Sequence, residues 1–275
     1  MGVYLYPNNV QKELKNWYIW EYIEDRPDIT TMQYTNKSIS VVSANETQWL
    51  YISPDWTNLY YCDFGDAYVR QYSMSTAWDI STATNTGKYI TAGYSGGGWT
   101  SWVALSPDGT KMYVSLQSNW ISEFTLSTAR DVSTASLSNT LSVSGNLPWL
   151  WVSQDWQHIY FTNFTTSKLV EYNMSTPRDL STATLLWQIS YPVAWWVYRD
   201  VCVSPDKKVY LVQQATPSYI YQLDMSTAQD ITTATYSGAS SSVTHTAWWL
   251  YISPNGKRMY VSSLDGKTIY QYSLG

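Results

Sequence analysis

A ten-residue stretch at residues 75–84, S-T-A-W-D-I-S-T-A-T, returns three more times in this chain with almost no change. The copies begin at Ser127 (S-T-A-R-D-V-S-T-A-S), Ser175 (S-T-P-R-D-L-S-T-A-T) and Ser226 (S-T-A-Q-D-I-T-T-A-T). An aromatic-aliphatic run closed by Ser-Pro-Asp or a close variant precedes each copy, at Ser53, Ser106, Ser153 and Ser204, and recurs once more at Ser253. Those serines are 53, 47, 51 and 49 residues apart. Self-similarity at such a period marks a repeat architecture, in which each unit buries its apolar face against its neighbours.

The unit from Trp49 serves as template. Residues 49–52 (W-L-Y-I) read as a first strand, a, closed by a turn in which Pro54 fixes φ and Asp55 can bond its own downstream backbone. Residues 59–62 read as strand b, 68–72 as c and 88–91 as d. The same parse fits the units from Trp102, Trp149 and Asp200, and partly that from Trp249. No segment keeps apolar residues at helical spacing, and β-branched and aromatic residues dominate, with 25 Tyr and 16 Trp. Four short antiparallel strands every 50 residues or so predict an all-β fold, a β-propeller, with the whole chain (1–275) as one domain. The final unit lacks strand d, and residues 1–48 form a partial unit lacking strand a. If residues 37–43 complete the last blade, there are five blades. If both ends build three-stranded blades, there are six, and six is favoured because the segments at 3–6 and 17–22 read as strands that need partners.

Charged residues are only 13% of the chain, the net charge is −5, and no Lys/Arg cluster occurs. That argues against nucleic acid and anionic membranes as partners. No run of 18 apolar residues spans a membrane, and the N-terminus lacks the pattern of a secretory signal. Cys62 and Cys202 lie at unlike places in their repeats and read as small buried apolar side chains rather than a bridge.

Comparing a repeat with its siblings separates scaffold from site. The Trp four residues before the turn serine (Trp49, Trp102, Trp149, Trp249), with Asp200 breaking the series, reads as packing between blades. The motif aspartates Asp79, Asp131, Asp179 and Asp230 read as turn-capping rather than metal-binding, with the next aliphatic as an anchor. The varying d-to-a and b-to-c links share one face. They bring Trp99, Trp120, Trp195, Trp196 and Trp248 toward one rim, with Tyr198, Arg199 and His245 nearby. Aromatic rings beside Asn, Gln and Asp suit sugar faces and equally suit protein interfaces. Trp56 and Trp156 replace the glycine expected in the a-to-b turn and, with Trp78, form a second docking candidate on the opposite face. Catalysis has little to work with. His158, in an a-to-b turn, and His245 fall on opposite faces, Asp63 and Asp66 read as solvated turn residues, and no nucleophile, metal or phosphate motif occurs. No cofactor or metal is expected.

The combination S-P-D-G-T-K-M-Y-V (106–114) with Y-x-M-S-T-x-x-D-[IL]-S-T-A-T (72–84 and 172–184) resembles the propeller repeats of marine bacteriophage tail and other virion structural proteins. It is more distantly similar to YVTN and lactonase-type propellers, whose enzymes need ionisable residues that this chain does not offer at matching positions. The first resemblance implies a non-enzymatic virion component, assembled in the host cytoplasm without a signal peptide. Its partners would be other virion proteins, further copies of itself or a host-surface polysaccharide. A bacterial lectin-like or scaffold propeller is the alternative, and a lactonase or glycan-cleaving enzyme the third.

Overall fold

The computed structural model describes residues 33–41, 47–63, 67–77, 79–92, 100–116, 119–143, 149–153, 155–163, 165–190, 198–204, 207–213, 217–243, 246–253, 258–263 and 268–274. Strand β1 (Gln33–Ser40) comes first. Blade 1 follows as β2 (Thr47–Ile52), β3 (Asn58–Asp63), β4 (Tyr68–Met74) and β5 (Ala83–Thr91). Blade 2 is β6 (Thr100–Leu105), β7 (Lys111–Leu116), β8 (Trp120–Leu126) and β9 (Ala135–Ser142). Blade 3 is β10 (Leu150–Val152), β11 (His158–Asn163), β12 (Lys168–Met174) and β13 (Ala183–Ser190). Blade 4 is β14 (Tyr198–Ser204), β15 (Lys208–Gln213), β16 (Ser218–Met225) and β17 (Ala234–Val243). Blade 5 takes β18 (Ala247–Ile252), β19 (Arg258–Ser263) and β20 (Thr268–Ser273), with β1 as its outer strand.

The ring therefore has five blades, which corrects the favoured count of six. The reason is the pairing of β1 with β20, antiparallel from Gln33↔Ser273 to Ser40↔Thr268, which fills the strand-d place that the C-terminal unit lacks. The proposed strands within residues 1–31 lie outside the described residues.

The recurring motif earns its recurrence at the seams between blades. Each copy folds as one 3-10 turn, at Ile80–Thr82, Val132–Thr134, Leu180–Thr182 and Ile231–Thr233. The carboxylate of Asp79, Asp131, Asp179 or Asp230 caps it by accepting the N–H of Ser81, Ser133, Ser181 or Thr232 at 3.0–3.1 Å. The first residue of each turn is buried, which bears out the reading of cap plus anchor. The residue before the cap is left-handed: Arg130 at φ 64°, Arg178 at 66° and Gln229 at 62°. That unusual conformation turns its carbonyl toward the preceding blade, where a tyrosine at the third position of strand b donates to it. Tyr60 reaches Arg130 O at 2.9 Å, Tyr113 reaches Arg178 O at 2.6 Å, and Tyr160 reaches Gln229 O at 2.9 Å.

A buried amide or acid in strand c adds a second link. Gln71 Oε1 accepts Val132 N–H at 3.3 Å, and Glu123 Oε2 accepts Leu180 N–H at 2.9 Å. Exposed ion pairs such as Lys37–Asp79 (2.6 Å) and Lys88–Asp131 (2.7 Å) join an outer strand to the next motif, and such pairs contribute little. The phenol bonds are more consequential because their acceptors are held in place by the turn. Tyr113→Phe is expected to cost about 1 kcal/mol, read as a lower urea midpoint at unchanged slope.

Candidate functional site

The inner strands meet through two tiers of side chains. Pairing register shifts just before the upper tier, between Thr47 and Trp49, Thr100 and Trp102, and Tyr198 and Asp200, and such a bulge re-aims the side chain that follows it. Trp49 lies 6.0 Å from Trp102 and 5.6 Å from Trp249, ring centre to ring centre, and all three are buried. Two residues further on, Tyr251 contacts Tyr51 at 6.2 Å and Trp151 at 5.9 Å. The tryptophan series thus packs blade against blade, as its recurrence predicts.

Asp200, the exception in that series, is wholly buried. Its Oδ1 accepts Val201 N–H at 2.8 Å and its Oδ2 accepts Leu250 N–H at 2.9 Å, so it braces the inner strands of blades 4 and 5. Burial pushes its pKa well up, against the pull of those two bonds. A carboxyl committed on both oxygens is a poor general base. Cys62 and Cys202 are free and buried, and burial raises both thiols well above their ordinary pKa, which suppresses the nucleophilic thiolate. His158 is the first residue of β11 rather than part of the turn, and its Nδ1 meets Glu171 Oε1 at 2.8 Å. Among the described residues no three His, Cys, Asp or Glu side chains gather as a metal site would need.

The ends of strands b and d and the starts of strands a and c share one rim. Here blade 1 carries a compact group. Asp63, which is buried and not a solvated turn residue as expected, pairs with Arg70 Nε at 3.1 Å. The Arg70 guanidinium lies 4.8 Å from the Tyr68 ring and 5.6 Å from that of Tyr89, and the two rings are 4.9 Å apart. Tyr89 is half exposed. In blade 2 the equivalent of Tyr68 is Trp120, at the start of β8 and exposed as expected. In blade 4 it is Tyr219, also exposed, beside Tyr221, which donates to Gln213 Oε1 at 2.9 Å. The matching position at or next to the start of strand c is thus aromatic in three blades, a pattern that aligning the repeats makes visible.

The other candidates divide. Tyr198 is fully buried in β14, edge-on to Tyr221 at 5.9 Å, so it supports the rim rather than presenting to solvent. Arg199 is half-buried with its guanidinium 5.7 Å from the Trp149 ring, and burial lowers its pKa. Trp156 is only 6% exposed, its ring 5.0 Å from Tyr113 of the preceding blade, which corrects its assignment to an exposed opposite face. Trp56 is half-buried against the core. Both stand at the turn position held by Gly109 (φ 72°), with φ of 61° and 59°, so the glycine comparison holds for both. Trp99, Trp195, Trp196, His245 and Trp78 lie outside the described residues. The backbone of Trp248 belongs to β18.

A different aromatic surface lies on the outer wall, where Leu185, Leu186 and Trp187 of β13 are consecutive and exposed, Trp187 by 51%. The equivalent stretches of β5 and β17 contain left-handed glycines, Gly87 and Gly238, and β5 also carries Lys88.

No family model and no curated protein sequence matches this chain. Solved structures do. A Bacteroides fragilis protein provisionally assigned as a 6-phosphogluconolactonase matches with a TM-score of 0.53 at 14% identity, over 81% of this chain and 65% of that one. A Bacteroides uniformis protein of the same provisional assignment matches with a TM-score of 0.52 at 13% identity, over 81% and 65%. The chain therefore spans slightly less than two thirds of those proteins' length, and at such identity the likeness is one of fold, the β-propeller.

Proposed function

We propose that this propeller is a non-enzymatic docking component of a bacteriophage virion, on the tail, fibre or capsid surface. It holds neighbouring virion proteins and binds host-surface glycan through aromatic side chains. The observation that carries the docking role is the division of its aromatic residues: the axis is packed with buried rings, whereas Trp120, Tyr219, Tyr89 and Trp187 stand at the rim and outer wall in solvent. Exposed rings on a rigid sheet offer large contact area at low entropic cost, the usual property of interface anchors. The virion assignment draws its support from the repeat resemblance described above.

A second reading, a lactonase-type hydrolase, has the fold likeness to the Bacteroides proteins in its favour. Against it stand the commitment of Asp200 to two backbone bonds and the burial of both thiols.

The test is intrinsic tryptophan fluorescence titrated with bacterial surface polysaccharides, with oligomeric mass and hydrolysis of 6-phosphogluconolactone recorded on the same preparation. Saturable quenching, weakened at least tenfold in a folded Trp120→Ala variant, is expected for glycan recognition by the rim. A flat titration from a stable oligomer restricts the proposal to assembly. Binding by a protein that stays monomeric favours the lectin-like alternative, and turnover of the lactone overturns the docking proposal.

A further inference from the structure

The seams on either side of blade 4 are built differently from those between blades 1 and 3. Between blades 1 and 2, and between blades 2 and 3, the buried strand-c residue (Gln71, Glu123) accepts a backbone N–H from the next motif turn. At the same place in blade 3, Glu171 Oε2 is buried and has no hydrogen-bond partner, so the matching bond to Ile231 N–H of blade 4 is not made. In blade 4 the corresponding Gln222 Oε1 is buried and unpartnered as well. The apolar core itself crosses both seams, Tyr160 and Leu169 packing with Val201, Leu223 and Ile231, and Cys202 and Val212 with Leu250 and Val261, so the difference lies in the polar links. Blade 4 is also the one with Asp200 in the tryptophan tier.

The blade 3–blade 4 seam differs in one more respect. In blade 2 the buried acid Glu123 is paired with a lysine, Lys111. In blade 3 the first residue of strand b is His158, and it is the described partner of Glu171. Histidine is the side chain whose ordinary titration falls near neutral pH.

We propose that the His158–Glu171 pair makes the seam between blades 3 and 4 a proton-sensitive joint, closed when His158 is charged and first to open when it is not. A charged imidazole compensates the buried Glu171 carboxyl. Once it is neutral, Glu171 keeps an unpartnered oxygen and loses the charge beside the other, which favours opening toward water.

The surroundings act in the same sense. The Glu171 bond holds the His158 pKa above its ordinary value, against burial, with a further contribution from Asp155 in the a-to-b turn. The Tyr160 ring stacks on His158 at 6.1 Å and faces Asp155, Glu171 and, from blade 4, Asp230. Across the sheet, Glu171 is paired in register with Trp187 of β13, which brings no charge. Because the folded pKa lies above the unfolded one, the stabilisation is fully present below about pH 6.5, the ordinary histidine value, and is lost as pH rises through the folded pKa.

Hydrogen exchange followed by mass spectrometry on the full chain tests this. The ratio of opening at residues 226–236 to that at 175–185, corrected for intrinsic exchange, is expected to rise about tenfold between pH 6 and pH 9. His158→Lys, which copies the Lys111–Glu123 pair, should flatten that ratio. If it does not fold, Glu171→Gln, which copies Gln71, should do the same. A ratio independent of pH in the unaltered protein overturns the proposal. So does a pH dependence that survives in a folded variant, since His245, the other histidine, is unchanged in both.

Discussion

Trp49→Ala is expected to lower the free energy of unfolding by about 3–5 kcal/mol, the range for a large aromatic removed from a packed core. The residue is 1% exposed, it touches a tryptophan on each side, and the inner strands of three consecutive blades meet there. A hole at this point cannot be closed by one blade moving in, because the other blades hold it back. Trp49→Phe should behave differently. The indole N–H of Trp49 is buried without an acceptor, so phenylalanine keeps much of the ring contact and removes an unpaired donor, whose burial costs about 1–3 kcal/mol. The variant is therefore expected within about 1 kcal/mol of the unaltered protein. Urea unfolding of the two variants side by side checks this. Equal losses would mean that the indole is held by polar contacts and not by packing.

Removing residues 33–41 is expected to abolish cooperative unfolding altogether. The deletion takes away β1, the buried Val41 and the link from Lys37 to Asp79. It also leaves β20 as an open inner edge whose N–H and C=O groups had been paired with β1, and such an edge templates aggregation. Loss of one of the twenty described strands thus opens the ring rather than trimming it. A synthetic peptide of residues 33–41 added in excess should recover monomeric protein and a thermal transition. A deletion variant that unfolds cooperatively without the peptide would show that blade 5 holds together by itself.

Much of this fold was legible in the sequence because repetition averages out local ambiguity. The Asp79-type cap, the Ile80-type anchor and the tryptophan tier could each be read from four similar copies without knowing where any one strand ends. Blade count was less legible, because it depends on which distant strand pairs with β20, and nothing in residues 33–40 alone says that their partner lies more than 200 residues away. Exposure also failed to follow from residue type. Trp56 and Trp156 stand where a glycine is expected in the a-to-b turn, which places them on the opposite face but does not say how far each ring is exposed. Yet the turn at Trp156 sits against the preceding blade, and its ring closes over Tyr113. The seam residues also recur along the repeats. Tyr60, Tyr113 and Tyr160 recur at the third position of strand b and each donates to the next motif turn, whereas of Gln71, Glu123 and Glu171 in strand c the first two bond that turn and Glu171 does not.

The central claim is a ring of five blades closed by its N-terminal described strand, and the amide hydrogen exchange of residues 33–41 tests it most directly. In a closed ring these amides are expected to exchange about as slowly as those of the interior strands β3 and β7, with their rate falling in step with global stability as urea is withdrawn. Exchange at the rate of an unstructured peptide, with β3 and β7 still protected, would contradict the closure.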